Sequence, residues 1–206
     1  MNSVYNYVVE PLGERYNNTK KIGDKELILN TEVYNHQHVN REAKVLSTPR
    51  ISNSDIQPGD IVTVHHNIFR RWHDVKGRER NSSSFLEEGR YLVAPDQIYL
   101  YKPDKLTASW TCPKGYCFVK PLKTKDQFNI DVERPFMGIV KYSDGTVKKG
   151  DLVGYKPETE CEFIVDGKRL YKIPSQFITI KYEYQGDEEE YNPSWTESGG
   201  GVNQGS

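Results

Sequence analysis

The sequence predicts an all-β chain of two small barrels in tandem, with long loops and a disordered C-terminal tail. Three observations carry that expectation. Aromatic residues make up 12% of the 206, with 14 Tyr among them, and flat or β-branched side chains pack best on pleated surfaces. Short runs alternate apolar with polar residues between clusters of Gly, Pro, Asn and Asp, and no ten-residue stretch holds a 3.6-residue apolar period. About five short strands in each half favour closed sheets, because closure removes exposed edges.

In the first half, strands are expected over Val4 to Glu10, Ala43 to Ser47, Asp60 to His66, Tyr91 to Val93 and Ile98 to Lys102. In the second they are expected over Cys117 to Leu122, Gly138 to Tyr142, Asp151 to Tyr155, Glu162 to Val165 and Ile178 to Tyr182. Asp166-Gly167, between Glu162–Val165 and Arg169–Ile173, is a two-residue hairpin signal, since both central positions of such a turn need positive φ. Pro58-Gly59-Asp60 and Lys149-Gly150-Asp151 each open a strand. There Gly supplies the turn and Asp can accept backbone N–H bonds.

Four echoes recur in the same order in both halves. Val8 to Leu12 returns as Phe118 to Leu122, and Arg41 to Val45 as Phe136 to Val140. Ile56 to Val62 returns as Val147 to Val153, and Pro95 to Ile98 as Pro174 to Phe177. The separation between copies shrinks along the chain, so the first copy has the longer loops. The expected organisation is one unit over 1–103 with a long loop at 13–40, a linker at 104–115, a shorter unit over 116–185, and a tail at 186–206. That tail carries the acidic run Asp187 to Glu190 and a Gly/Ser end, too polar to order itself by burial.

Lys and Arg (28) nearly balance Asp and Glu (29), which weighs against nucleic acid or an anionic membrane as partner. No apolar run approaches the roughly 18 residues of a membrane span, and Met1 to Val9 lacks a secretory pattern. Three cysteines, an odd number, fit reduced thiols and the cytoplasm.

Five histidines fall in the first half. His36 and His38 would share a strand face, whereas His65 and His66, being adjacent, would point to opposite sides. With a third ligand they are candidates for a metal site, against the plainer reading of packed or surface histidines. Phe69 to Arg80 is locally basic with an aromatic, a solvated hairpin or subunit contact rather than a nucleic-acid surface. Cys112 and Cys117 have the wrong spacing for zinc and no second pair. With no Gly-x-Ser-x-Gly, phosphate loop or carboxylate pair of defensible spacing, no enzyme is expected.

A Gly-Asp-x-Val turn that opens a strand, followed by a hairpin and a closing strand, resembles the GroES-type co-chaperonin family. Gln57 to Val62 matches the turn, and Gly89 to Leu100 the last hairpin arm and closing strand. The resemblance spans 4–102 and, more weakly, 116–182. It implies Greek-key-like barrels, a homo-oligomeric ring, no cofactor, and a lid role on an ATP-driven chaperonin ring. Leu27, Ile28 and Leu29 resemble the aliphatic tripeptide of the family's docking loop, although Lys25-Glu26 stands where small residues usually precede it. Those three residues could equally form an ordinary strand with Leu27 and Leu29 on the core face. Rival expectations are a structural or assembly protein, such as a virion component, and a histidine-based metal-binding module.

Overall fold

The computed structural model describes residues 3–13, 19–22, 25–28, 41–51, 54–125, 132–184 and 186–191. The chain divides into two compact units, Met1–Trp110 and Thr111–Ser206. Among the described residues each unit is built on one six-stranded antiparallel sheet.

The first unit comprises β1 (Tyr7–Pro11), β2 (Thr19–Ile22), β3 (Lys25–Ile28), β4 (Glu42–Ser47), β5 (Ile61–Val64), β6 (Arg71–His73), β7 (Glu79–Asn81), β8 (Phe85–Glu87), β9 (Arg90–Val93) and β10 (Ile98–Lys102). Its sheet runs β10-β5-β4-β1-β9-β8, with β2–β3 and β6–β7 as separate two-stranded ribbons. The second unit comprises β11 (Tyr116–Lys123), β12 (Glu133–Ser143), β13 (Leu152–Tyr155), β14 (Cys161–Val165), β15 (Lys168–Pro174) and β16 (Ile178–Tyr182). Its sheet, read from the edge that matches, runs β16-β13-β12-β11-β15-β14. The strand order is the same, so β1 corresponds to β11, β4 to β12, β5 to β13, β8 to β14, β9 to β15 and β10 to β16.

The sequence echoes fall on these counterparts. The β1–β4 register shifts between Val8 and Val9, and the β11–β12 register between Phe118 and Val119. The two Gly-Asp turns repeat bond for bond. Gly59 (φ 96°) donates its N–H to Val45 O at 2.7 Å, and Gly150 (φ 91°) to Val140 O at 2.8 Å. Asp60 accepts the Gln57 N–H at 2.8 Å, and Asp151 the Lys148 N–H at 2.9 Å. Only a residue without Cβ holds such φ values without strain. A short 3-10 turn then precedes each last strand, at Pro95–Gln97 and Ser175–Phe177. Asp166 and Gly167 have φ of 50° and 70° and close the β14–β15 hairpin, with Val165 opposite Lys168.

Neither sheet closes, which corrects the expectation of GroES-like barrels. Among the described residues the edges are β10 and β8 in the first unit, β14 and β16 in the second. Apolar alternation fixes which face of a strand is buried, not what lies beyond its edge. The edge strands here are poorly suited to pairing with each other. β8 spans three residues, and four of the five residues of β16 are exposed. Charge also blunts them: Glu87 pairs with Arg90, and Lys181 with Asp151 at 2.8 Å.

Each open sheet covers its own core with help from loops. Tyr7, Val9, Val45, Val62, Tyr91 and Val93 meet Ile56, Ile68 and Phe69 from connections. In the second unit Val119, Val140, Val153, Tyr155 and Ile173 meet Val147 and Phe177. One close approach separates the units. Gly138 lies opposite Pro121, and a Cβ there would sit 2.7 Å from Lys120 O and 2.8 Å from a Val119 methyl. Its counterpart opposite Pro11 is Ala43, buried without conflict.

Candidate functional site

The residues singled out in the sequence do not converge. Leu27 and Ile28 lie in β3, opposite Lys20 and Thr19 of β2, while Leu29, His36 and His38 fall outside the described residues. His65 and His66 do not point apart as a strand would require, because β5 ends at Val64. Instead their rings stack 4.1 Å apart at 28°, and His65 Nδ1 accepts the Asn67 N–H at 3.1 Å. Among the described residues no three His, Cys, Asp or Glu side chains are placed to hold a metal ion, so the metal-module reading finds no support there. The basic hairpin is the β6–β7 ribbon, and its charge is largely met from within. Arg78 and Arg80 converge on Asp74 at 3.0 and 3.2 Å, and Arg71 meets Glu79 at 2.9 Å. The backbone N–H of Arg78, with further bonds from Lys76, Arg78 and Arg80, holds the Asp74 carboxyl below its ordinary range.

The best-defined arrangement lies along β11. Its first half, Tyr116 to Val119, pairs with β15. There β15 parts from it, and a proline gives the reason: Pro121 has no N–H to continue the ladder. Residues two apart in a strand direct their backbone groups to the same side, so the vacated edge offers Pro121 C=O and Lys123 N–H. Residues 187–191, expected to be mobile, occupy that edge. Lys123 N–H donates to Glu189 O at 2.9 Å, Tyr191 N–H donates to Pro121 O at 2.8 Å, and Leu122 and Glu190 form an antiparallel bridge.

Side chains reinforce this seating. Lys120 pairs with Glu190, and Lys123 with Glu189 at 3.2 Å. Lys125 meets Asp187 at 3.0 Å and Glu188 at 3.2 Å. Arg134 reaches both Glu188 oxygens, at 3.2 and 3.4 Å. The Glu188 side chain is 7% exposed and is the anchor of the set. The hydrogen bond from Lys125 lowers the Asp187 pKa, and those to Asp187 and Glu188 raise that of Lys125. Lys141 marks how basic this face is: burial and then the neighbouring Lys120, Lys149 and Lys168 lower its pKa, with Glu190 opposing.

Two polar clusters fix the frame around the slot. Arg169 donates to Glu133 at 2.7 Å, Glu162 at 2.9 Å and Tyr171 Oη at 2.6 Å, and Tyr171 in turn donates to Glu133 at 2.9 Å. The Arg169 guanidinium also lies 5.8 Å from the Tyr191 ring centroid, at the end of the seated segment. At the other end of β11, Asp144 accepts from Gly115 N–H (2.8 Å), Thr146 N–H (2.9 Å) and Ser175 Oγ (2.7 Å). Burial works to raise the Asp144 carboxyl, yet these bonds outweigh it and hold the group below its ordinary range. Cys117, fully buried, lies 3.4 Å from Ser175 Oγ.

The acidic run stands out in the sequence, but its seating does not. The signal that could have found it is a Lys/Arg series (Lys120, Lys123, Lys125, Arg134) matched by four consecutive carboxylates behind a strand interrupted by proline.

No family model matches the chain. No curated protein matches it either. With neither a family match nor a closed barrel behind it, the GroES-type resemblance is overturned, and the chaperone reading goes with it. Among the described residues no helix is long and apolar enough to cross a membrane.

Proposed function

We propose that the protein is a non-catalytic binding module that holds an extended acidic segment along the free half of β11. The seating of residues 187–191 is the observation that carries this reading. Strand addition sets register through the main chain, and cations facing the added strand select its charge. Four acidic side chains meet Lys120, Lys123, Lys125 and Arg134, while two backbone bonds at Pro121 and Lys123 fix the frame. The polar clusters of this unit are occupied in joining strand ends, which supports a role without bond-making chemistry. All three cysteines are free thiols, two of them buried, and this supports assigning the protein to the reducing cytoplasm.

The test uses the full chain with Asp187, Glu188, Glu189 and Glu190 all changed to Ser, so that its own segment no longer competes by charge. A labelled Gly-Asp-Glu-Glu-Glu-Tyr peptide should bind with a Kd of about 10–100 µM, a modest affinity suited to a short strand. Raising salt to about 0.5 M should weaken it severalfold, since the Lys123–Glu189 and Lys125–Asp187 pairs are exposed on both sides. Absence of saturable binding at about 1 mM peptide would remove the reading.

A further inference from the structure

We infer that the acidic segment supplied to this slot in trans is residues 187–191 of a second copy of the chain, exchanged reciprocally between two protomers. The inference rests on the reading of the slot just given and names its partner.

The first argument is where the contacts go. Every hydrogen bond, ion pair and ring contact described for 187–191 is made to Lys120, Pro121, Leu122, Lys123, Lys125, Arg134 or Arg169. Among the described residues none is made to β16 or to the connection that follows it. The slot therefore recognises the segment without reference to the chain that supplies it.

The second argument is the attachment. β13 and β12 lie between β16 and β11 in the sheet, and the segment sits on the edge of β11 beyond them, the edge it shares with β15. It is no continuation of β16. Only residues 183–186 join the two, with Glu183 and Tyr184 exposed and Gly186 at a φ of 86°. A short connection that ends in a positive-φ glycine needs only a change at a few torsions to send the segment to a neighbour, which is the usual route to exchanged dimers.

Reach then sets the symmetry. Four residues span at most about 14 Å when extended. A donor must bring the end of its β16 close to the acceptor's β11, and the same proximity lets the acceptor return its own segment. The product is a closed two-fold dimer rather than an open chain. Because exchange preserves the contacts, the loss of freedom on association favours the closed monomer in dilute solution, and the dimer grows with concentration.

Two charge-reversed chains test the exchange. One carries Lys120→Glu, Lys123→Glu, Lys125→Glu and Arg134→Glu with its acidic segment intact. The other keeps the native slot and carries Asp187→Lys, Glu188→Lys, Glu189→Lys and Glu190→Lys. In each chain the segment is repelled by its own slot, and each should run at monomer mass by light scattering. Mixed in equal amounts at about 100 µM, every segment meets an opposite charge only on the other chain. A one-to-one complex of twice the mass should then form, and about 0.5 M salt should dissolve it. A mixture that stays at monomer mass would overturn the exchange.

A second measurement needs no variant to fold. Lys123 Nζ and Glu189 lie 3.2 Å apart, within reach of zero-length carbodiimide coupling. In an equal mixture of 14N- and 15N-labelled native chain, coupled peptide pairs of mixed isotope should rise between about 10 µM and about 1 mM protein. Same-isotope pairs alone at every concentration would overturn the proposal. If the free peptide binds and the chains do not pair, only the exchange falls; if the peptide fails to bind, the slot reading falls first.

Discussion

The two units share a strand order and part company just after a proline. In the first, β1 ends Glu10-Pro11 and is followed by Leu12; in the second, β11 ends Lys120-Pro121-Leu122-Lys123. In both, the neighbouring strand of the hairpin pairs only with the residues before the proline: Tyr7, Val8 and Val9 with β9, Tyr116 to Val119 with β15. Backbone and topology thus prepare the same edge twice. An acid stands at 10 where a base stands at 120, and among the described residues only the second edge has a bridge seated on it, at Leu122 and Glu190. The difference teaches that topology creates the opening and side-chain charge decides what fills it.

The sharpest way to break this comparison is at the residue opposite each proline. Gly138→Ala would drive a methyl group against Lys120 O, a backbone atom that cannot move away cheaply. It should cost about 2–3 kcal/mol and lower the melting temperature of the second unit by about 10 °C or more. The reverse change in the first unit, Ala43→Gly, removes one buried methyl and loosens a strand, costing about 1 kcal/mol. Equal losses in thermal melts of the two variants would show that the units pack alike after all.

A smaller effect sharpens the role of charge. Arg134→Gln takes one of two cations from the almost fully buried Glu188 carboxylate. About 1 kcal/mol of local stability should go, and the Tyr191 amide should exchange with solvent about five- to tenfold faster. Fluorescence of Trp110, buried in the first unit, should not change.

The smallest expected effect is with pH. Asp144 has a folded-state pKa below its unfolded value, so its contribution is complete above about 4 and is lost as pH falls through the lowered folded value. It ties Gly115, Thr146 and Ser175 of the second unit together. In the first unit Asp74 is lowered too, but within the β6–β7 ribbon and outside the sheet. Acidification from pH 6 to 3 should therefore loosen the second sheet before the first, as followed by amide exchange. Asp144→Asn should flatten that dependence, and an unchanged profile would remove Asp144 as its source.

Much of the local structure was legible in the sequence. Asp166-Gly167 announced its turn because two successive positive φ values admit few residues, and the paired Gly-Asp turns announced theirs because Gly takes the one positive φ and Asp accepts a backbone N–H. Longer-range features were not. Nothing in the alternation of β16 says whether another strand lies beyond it, so closure was inferred where the edges are short and charged. His65 and His66 read as strand because the β-branched run of β5 reaches Val64, directly before the turn that takes them. The acidic run reads as a tail because it cannot bury apolar surface. Its order comes from cations 54 to 70 positions upstream, a pairing that composition does not reveal.

Pro121 has a consequence for how such a strand can change. Cys117, Phe118 and Val119 before it, and Leu122 after it, are fully buried, and substitutions there disturb packing, whereas Lys120 already faces the seated segment. Beyond the proline, the Lys123 side chain is outside the core, and one backbone donor and one acceptor face an addable chain. Ligand preference can therefore drift by single exposed replacements while the scaffold stays intact, as though one strand had been divided into a foundation and a socket.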